Sequence, residues 1–145
     1  ENERVDPREF TEAQDHLGDR VVQFGFLDRP DYVDLLGRSD VVVSAAHHEF
    51  FGVAVVEALA AGCVPVLPDR LSYPELVGDR AGVALYPDGG LTGRLREVLT
   101  DLDGWRERVA GLDEDIRRFD VRTVVADYDD RLEALAAGGA QRASH

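Results

Sequence analysis

The sequence has little that would tie it to a membrane, a secretory route or a nucleic-acid backbone. Its longest apolar runs are far too short to cross a bilayer, and no basic stretch followed by an apolar one opens the chain. Basic residues are also scarce, with 16 against 29 acidic ones and a formal net charge of -13. Such a surface does not by itself attract phosphate backbones. We therefore expect a cytoplasmic protein without membrane contact, in which any nucleic-acid contact needs help from elsewhere.

Cysteine and metal-ligand patterns are scarce as well. The single Cys63 cannot form an internal disulfide, and its apolar neighbours indicate a buried thiol. The four histidines are not at metal-ligand spacing with the cysteine, and the adjacent His47 and His48 cannot both face the same way on an extended segment. We expect no bound metal.

Two phosphate-binding motifs are missing. The sequence contains neither G-x-G-x-x-G after a predicted strand nor G-x-x-x-x-G-K-[ST]. The dinucleotide fingerprint and the P-loop are therefore both excluded.

Short apolar runs alternate with helical patterns along the 145 residues. Parallel strands of one sheet are predicted at 21–25, 41–45, 64–67 and 82–86. Helices are predicted at 8–18, over DYVDLLGRSD, over VAVVEALAAG and at 91–102. A further helix is predicted from Trp105, with a break near Gly111, and Asp120 is the predicted N-cap of the last helix. This order predicts an α/β, Rossmann-like parallel sheet with helices on both faces. We expect one domain over 1–137 and a flexible tail at 138–145.

Two glutamates flank the start of the VAVVEALAAG helix. Glu49 lies in the loop before Gly52, and Glu57 lies within an almost wholly apolar helix. Ligands of open α/β sheets bind beyond the carboxyl ends of the strands, and the amides of Gly52, Val53 and Ala54 would form a helix N-terminus that favours an anion. A phosphate is predicted there. Glu49 would then reach groups beyond the phosphate, and Glu57 would accept hydrogen bonds from ribose hydroxyls, because an unpaired buried carboxylate is costly.

Structural roles compete with this interpretation. Glu57 could reach solvent at one edge of the helix or accept hydrogen bonds from a neighbouring loop. Glu49 could be a solvated loop charge, and His48 a packed or exposed imidazole. The two glutamates together with the intervening glycine favour the nucleotide site.

The pattern E-x-F-G-x-x-x-x-E-A, formed by Glu49, Phe51, Gly52, Glu57 and Ala58, resembles the donor site of retaining GT-B glycosyltransferases of the family-four type. The preceding VVQFGFLDRPDYVDLLGRSDVVVSAA and the following GCVPVLP are similar to that family too, so that the resemblance covers 20–100. More narrowly, HEFFGVAVVEA followed by RLSYPEL resembles the tRNA-queuosine α-mannosyltransferase group. RLSYPE stands where the wider family usually has a Gly-rich turn before Pro-Glu.

The resemblance implies a role for each matching position. Glu49 would hold the donor sugar at the catalytic centre, the amides around Gly52 and Val53, next to Phe51, would bind the diphosphate, and Glu57 would hold the ribose. Further candidates are the nucleobase contacts Gly25, Phe26 and Leu27, and the residues His48, Tyr73 and Glu75, with Tyr73 and Glu75 expected on a loop that faces the same edge.

The implied activity is that of the donor-binding half of a retaining GT-B enzyme that transfers mannose from GDP-mannose to queuosine in tRNA, without a cofactor or a metal. Catalysis would rest on positioning and on electrostatic stabilisation of the leaving diphosphate. The acceptor half, and the segment where the family usually has an Arg and a Lys for the diphosphate, are missing. The chain is thus expected to be inactive alone and to meet tRNA through an N-terminal domain that it lacks. The alternatives are a family-four transferase with another nucleotide sugar, such as a UDP-sugar, and a small or lipid acceptor, or a non-catalytic nucleotide-binding or interaction module.

Overall fold

The computed structural model describes residues 8–142, which belong to two compact units, Glu1–Tyr32 and Val33–His145. The first unit contains helix α1 (Arg8–Leu17), a 3-10 turn at Gly18–Arg20 and an irregular segment up to residue 28. Helix α2 (Arg29–Gly37) follows that segment. The helix predicted at 8–18 is therefore confirmed as α1.

A parallel sheet organises the second unit. Its strands, in the order β1-β2-β3, are β1 (Val41–Val43), β2 (Val64–Pro68) and β3 (Leu85–Tyr86). Both neighbouring pairs are parallel, and helices connect consecutive strands, which is the βαβ arrangement. The predicted Rossmann-like α/β class is confirmed.

The helices of the second unit fall between and after these strands. They are α3 (Val53–Ala60), α4 (Tyr73–Val77), α5 (Ala81–Ala84), α6 (Leu91–Thr100), α7 (Leu102–Arg108), α8 (Leu112–Ile116) and α9 (Val121–Arg142), with 3-10 turns at Gly78–Arg80 and Arg117–Phe119. The predicted break at Gly111 lies between α7 and α8, where its φ is 82°. Asp120 caps α9 as predicted, because its Oδ1 accepts a hydrogen bond of 2.8 Å from the amide of Arg122.

Two of the four predicted strands need correction. Residues 21–25 form no strand, and Val22 and Phe26 are 86% and 93% exposed. A β-branched and aromatic run has strand propensity, but it forms a strand only where a neighbour pairs with its backbone. The strand predicted at 82–86 is reduced to Leu85–Tyr86, because Ala81–Ala84 form a helical turn. A short apolar run does not distinguish these two conformations.

The core surrounds β2, whose residues are all buried. This burial agrees with the continuous apolar run from which the strand was predicted. Buried side chains from the neighbouring elements pack around it: Val55, Leu59, Tyr73, Leu76, Val77, Leu85, Tyr86, Val98, Trp105, Val109, Leu112 and Ile116.

Cys63, just before β2, is buried as predicted. Its Sγ donates a hydrogen bond of 3.3 Å to the carbonyl oxygen of Ser39. Burial, and secondarily the charge of Asp40, raises the pKa of the thiol above its usual value of 9.0. The thiol therefore stays protonated and unreactive at neutral pH.

The apolar side chains of the last helix are largely exposed. Val121, Val125, Tyr128 and Leu132 of α9 are each between 50% and 71% exposed. Helix α9 continues to Arg142, and the flexible tail expected at 138–145 lies partly outside the described residues. No helix between residues 8 and 142 combines the length and the apolar character that a membrane span requires.

Candidate functional site

The segment between β1 and α3, residues 44–52, carries the predicted site residues and lies at the carboxyl edge of the sheet. His48, Glu49 and Phe51 are exposed on this segment. Gly52 ends it in the left-handed conformation, with φ 79° and ψ 42°, directly before α3. Glycine adopts this conformation without the steric cost of a Cβ atom, and it therefore lets the chain turn sharply into the helix.

The space next to Gly52 has room for one carbon atom. A Cβ atom built at this position would lie 3.4 Å from Cε1 of Tyr73, 3.5 Å from Cδ1 of Leu76 and 3.7 Å from Cγ of Glu49, which are ordinary van der Waals distances. The left-handed backbone, and not the packing, therefore favours glycine here, independently of any ligand.

Glu49 is bound to the start of α3. Its Oε1 accepts hydrogen bonds of 3.0 Å from the amides of Phe50 and Gly52. The Gly52 amide is one of the groups predicted to bind a phosphate, and here it donates to a carboxylate oxygen instead. An anionic oxygen thus occupies a position near the N-terminal end of α3, where the helix dipole favours it. The role of Glu49 toward a donor sugar stays a prediction.

Glu57 is half-buried on α3, next to the buried Ala58 and two positions from the buried Val55. It already interacts with another group of the protein. The ribose hypothesis and the structural hypothesis therefore both stand for this carboxylate.

Phe51 packs against a residue far along the chain. Its ring lies 5.2 Å from that of Phe119, between centroids, in an edge-to-face arrangement at 79°. Such aromatic pairs add about 0.5–1.5 kcal/mol to the energy of burial. Phe51 thus helps to hold the start of α3 against the segment that follows α8.

A polar network that was not predicted from the sequence contacts the start of the segment 44–52. The hydroxyl groups of Ser44 and Tyr73 are 2.8 Å apart, and Ser44 Oγ also accepts a hydrogen bond of 3.2 Å from the amide of Ala46. The amide of Ser44 donates to the carbonyl of Val66, and the Tyr86 hydroxyl donates to the carbonyl of Ser44 at 2.7 Å. Every polar group of Ser44 is therefore bonded. Their places in the sequence could have indicated this proximity, because Ser44 directly follows β1 and Tyr86 ends β3, and both strands end at the same edge of the sheet.

Arg70 connects the same segment to the turn after β3. Its Nε donates to the carbonyl of Ala46 at 3.3 Å, and its Nη1 donates to Oδ1 of Asp88 at 2.7 Å. Burial raises the pKa of the Tyr86 hydroxyl above 10.0, and the opposing charge of Arg70 does not cancel this effect. Tyr86 therefore stays protonated and remains a donor to Ser44.

The loop predicted for Tyr73 and Glu75 is wrong, because both residues lie in α4. Pro74 in the first turn explains the helix, since its fixed φ suits a helix start. Tyr73 is 1% exposed, so that it contacts the 44–52 segment from the interior, whereas the side chain of Glu75 is exposed.

Gly25, Phe26 and Leu27 lie in the irregular segment of the first unit. Gly25 has a φ of 86°, Phe26 is exposed and Leu27 is half-buried. Their predicted contact with a nucleobase stays a prediction.

A depression of about 420 Å³ lies between α6 and α7. One of its two arginines, Arg108, is paired with Asp101 at 3.6 Å, and the guanidinium group of Arg108 also lies 4.9 Å from the centre of the Trp105 ring. The depression contains none of the predicted site residues; it is lined by Arg96, Glu97, Thr100, Asp101, Trp105 and Arg108.

The sequence matches the family described as Glycosyl transferases group 1 over residues 3–109. It is 49% identical over 70 residues to a tRNA-queuosine alpha-mannosyltransferase of Drosophila melanogaster, across 48% of this chain and 19% of that protein. It is 34% identical over 94 residues to glycogen synthase from two strains of Mycobacterium tuberculosis, across 62% of this chain and 23% of each relative. The chain therefore spans less than a quarter of the length of these relatives, and no solved structure matches it. Since the family match covers most of the sequence and the sheet has the Rossmann-like form of a GT-B half, the chain belongs to the group 1 glycosyl transferases.

Proposed function

We propose that this chain is the donor-binding half of a retaining glycosyltransferase that transfers mannose from GDP-mannose to queuosine in tRNA. The observation that carries the proposal is the identity of 49% over 70 residues with a protein named tRNA-queuosine alpha-mannosyltransferase. The placement of Glu49, Gly52 and Glu57 around the start of α3, at the carboxyl edge of a parallel sheet, supports it.

The diphosphate binds at the N-terminus of α3. Gly52 makes no side-chain cap there, and the first amides of a helix have no acceptors within the helix. The amides of Val53 and Ala54 can therefore donate to phosphate oxygens, with the helix dipole adding to the attraction. When a phosphate oxygen takes over the Gly52 amide, the carboxylate of Glu49 is released to accept hydrogen bonds from the sugar. At the Gly52 amide one anionic acceptor replaces another, while the amide of the exposed Phe50, which also donates to Glu49, turns to solvent.

Glu57 holds the ribose from the first turns of α3. A half-buried carboxylate can accept hydrogen bonds from two neighbouring hydroxyls at once. The remaining positive charge for the leaving diphosphate comes from outside this chain, as does the surface that binds tRNA. A chain with a net charge of -13 is itself a poor surface for a phosphate backbone.

The test uses the full-length protein. GDP, UDP and NAD are titrated in parallel, and labelled mannose from GDP-mannose is offered to tRNA with and without queuosine. We expect GDP to bind more tightly than UDP, NAD to show no saturable binding, and label to appear only in tRNA that carries queuosine. Equal labelling of both tRNAs, or of neither, contradicts the proposed acceptor.

The 34% identity over 94 residues with glycogen synthase favours a second candidate within the same family. In that case the donor is a different nucleotide sugar, such as a UDP-sugar, and the acceptor is not tRNA. Tighter binding of UDP than of GDP, with transfer from a UDP-sugar, would support this candidate. Nucleotide binding without transfer to any acceptor would instead indicate a non-catalytic binding module.

A further inference from the structure

We propose that Tyr73 is a positioning residue for donor binding, because its buried side chain is bonded to Ser44 at one end of the segment 44–52, which carries Glu49, and lies beside Gly52 at the other end. This inference rests on the proposed function. Tyr73 does not touch the donor; it acts through Ser44 at one end of the segment and through Gly52 at the other.

The hydroxyl end of Tyr73 is bonded to Ser44. The two oxygens are 2.8 Å apart, and the same Ser44 Oγ accepts from the amide of Ala46. A serine hydroxyl has one donor and two acceptor sites, so it can serve both partners together. Tyr73 thus orients the hydroxyl that fixes the first turn of the segment after β1.

The ring of Tyr73 lies beside the other end. A Cβ atom on Gly52 would lie 3.4 Å from its Cε1, an ordinary van der Waals distance, so the ring edge borders the space next to the backbone at the start of α3. This backbone presents the amide to which Glu49 is bonded at 3.0 Å. Tyr73 is 1% exposed, so neighbouring atoms enclose its ring. Its backbone belongs to helix α4.

The segment 44–52 is also held by residues other than Tyr73. Tyr86 donates to the carbonyl of Ser44 and Arg70 donates to that of Ala46, so the segment keeps backbone contacts when the Tyr73 hydroxyl is removed. Tyr73→Phe should therefore fold. The change loosens the segment locally without unfolding the sheet.

The experiment compares Tyr73→Phe, Ser44→Ala and the double variant in the full-length enzyme. Val98→Ala is the control, because Val98 is a buried core residue on α6. One hydrogen bond contributes an effect of about three- to tenfold in an equilibrium constant. We expect Tyr73→Phe and Ser44→Ala each to raise the donor KM by about that factor, with kcat changed by less than about twofold. The donor KM of the double variant should be close to that of Ser44→Ala alone, because Ser44→Ala already removes the contact with Tyr73 together with the bond to the Ala46 amide. Val98→Ala should lower the melting temperature and leave the donor KM unchanged.

Hydrogen exchange of the peptide that covers 44–52 gives a readout that needs no donor. Tyr73→Phe should speed exchange there, and Val98→Ala should not. An unchanged donor KM with a lowered melting temperature, an equal KM change in Val98→Ala, or additive effects in the double variant would overturn the role of Tyr73. If the wild-type enzyme binds no nucleotide sugar, the proposed function fails. In that case unchanged exchange at 44–52 also overturns the contact itself, whereas faster exchange shows that Tyr73 fixes the segment, although its role toward a donor falls with the proposed function.

Discussion

The substitution Glu57→Gln separates the two hypotheses for the half-buried carboxylate of α3. Glutamine has almost the same shape as glutamate, but it carries no charge and has one acceptor oxygen in place of two. If Glu57 binds the ribose of the donor, the change weakens donor binding. If Glu57 instead stabilises the fold through its partner within the protein, the change weakens the fold.

The expected size follows from the number of bonds. A hydrogen bond to a charged group contributes about 1.5–3 kcal/mol, against about 0.5–1.5 kcal/mol for a neutral pair. Losing one hydrogen bond to a charged acceptor therefore costs about 1.5–3 kcal/mol of donor binding. This corresponds to an increase in Kd of about 12- to 150-fold. The free energy of unfolding should change little, or even rise, because a partly desolvated charge is removed.

The assay is a pair of measurements on the full-length protein, namely a calorimetric titration with the donor nucleotide and a thermal melt. Glu107→Gln is the matched control, because Glu107 is exposed on α7 and the change removes the same charge. The control should leave both the Kd and the melting temperature near those of the wild type. A Kd for Glu57→Gln within about twofold of the wild type, together with a lowered melting temperature, would refute the ribose hypothesis.

Two further predictions concern stability. Leu71 is a non-glycine residue with a positive φ of 60°, so Leu71→Gly should be more stable than Leu71→Ala by about 1–2 kcal/mol, whereas Ala60→Gly in α3 should lose about 0.5–1 kcal/mol. Urea unfolding measures these differences, and an equal stability of the two Leu71 variants would show that its backbone is not strained. Burial raises the pKa of Cys63, so the unfolded chain loses this proton at a lower pH than the folded chain, and stability should fall as the pH rises above about 9. Melting temperatures between pH 7 and pH 10 test this, and a decline that is as steep in Cys63→Ala would assign it to other groups.

The parts of the fold predicted correctly from the sequence are those with local causes. The continuous apolar run of β2 requires a strand covered on both faces, and Gly62, with a φ of 88°, ends the helical pattern of α3 just before it. Gly52, predicted at the start of that helix, has a positive φ of 79° at the N-cap of α3. Such features depend on a residue and its immediate neighbours, so that one sequence is enough.

The errors and omissions have non-local causes. The run at 21–25 has the composition of a strand, but strand formation depends on a neighbour that composition does not specify. The contact between Tyr73 and Ser44 joins residues 29 positions apart, and that between Tyr86 and Ser44 joins residues 42 positions apart. No spacing rule connects such positions. They could be placed at one edge of the sheet, but their pairing required the register of the strands.

The RLSYPE stretch shows how a departure from a family pattern can have a structural consequence that the sequence alone does not state. The wider family has a Gly-rich turn before Pro-Glu, and here Leu71 adopts a positive φ of 60° that glycine would adopt at no cost. A non-glycine residue is held in this conformation only where its surroundings over-determine it. Tyr73, two positions later, is buried and bonded to Ser44, so the chain just after Leu71 is fixed in place. Replacing Leu71 with glycine should relieve the strain at this position and leave the bond between Tyr73 and Ser44 intact, so the donor KM of that variant should stay within about twofold of the wild type.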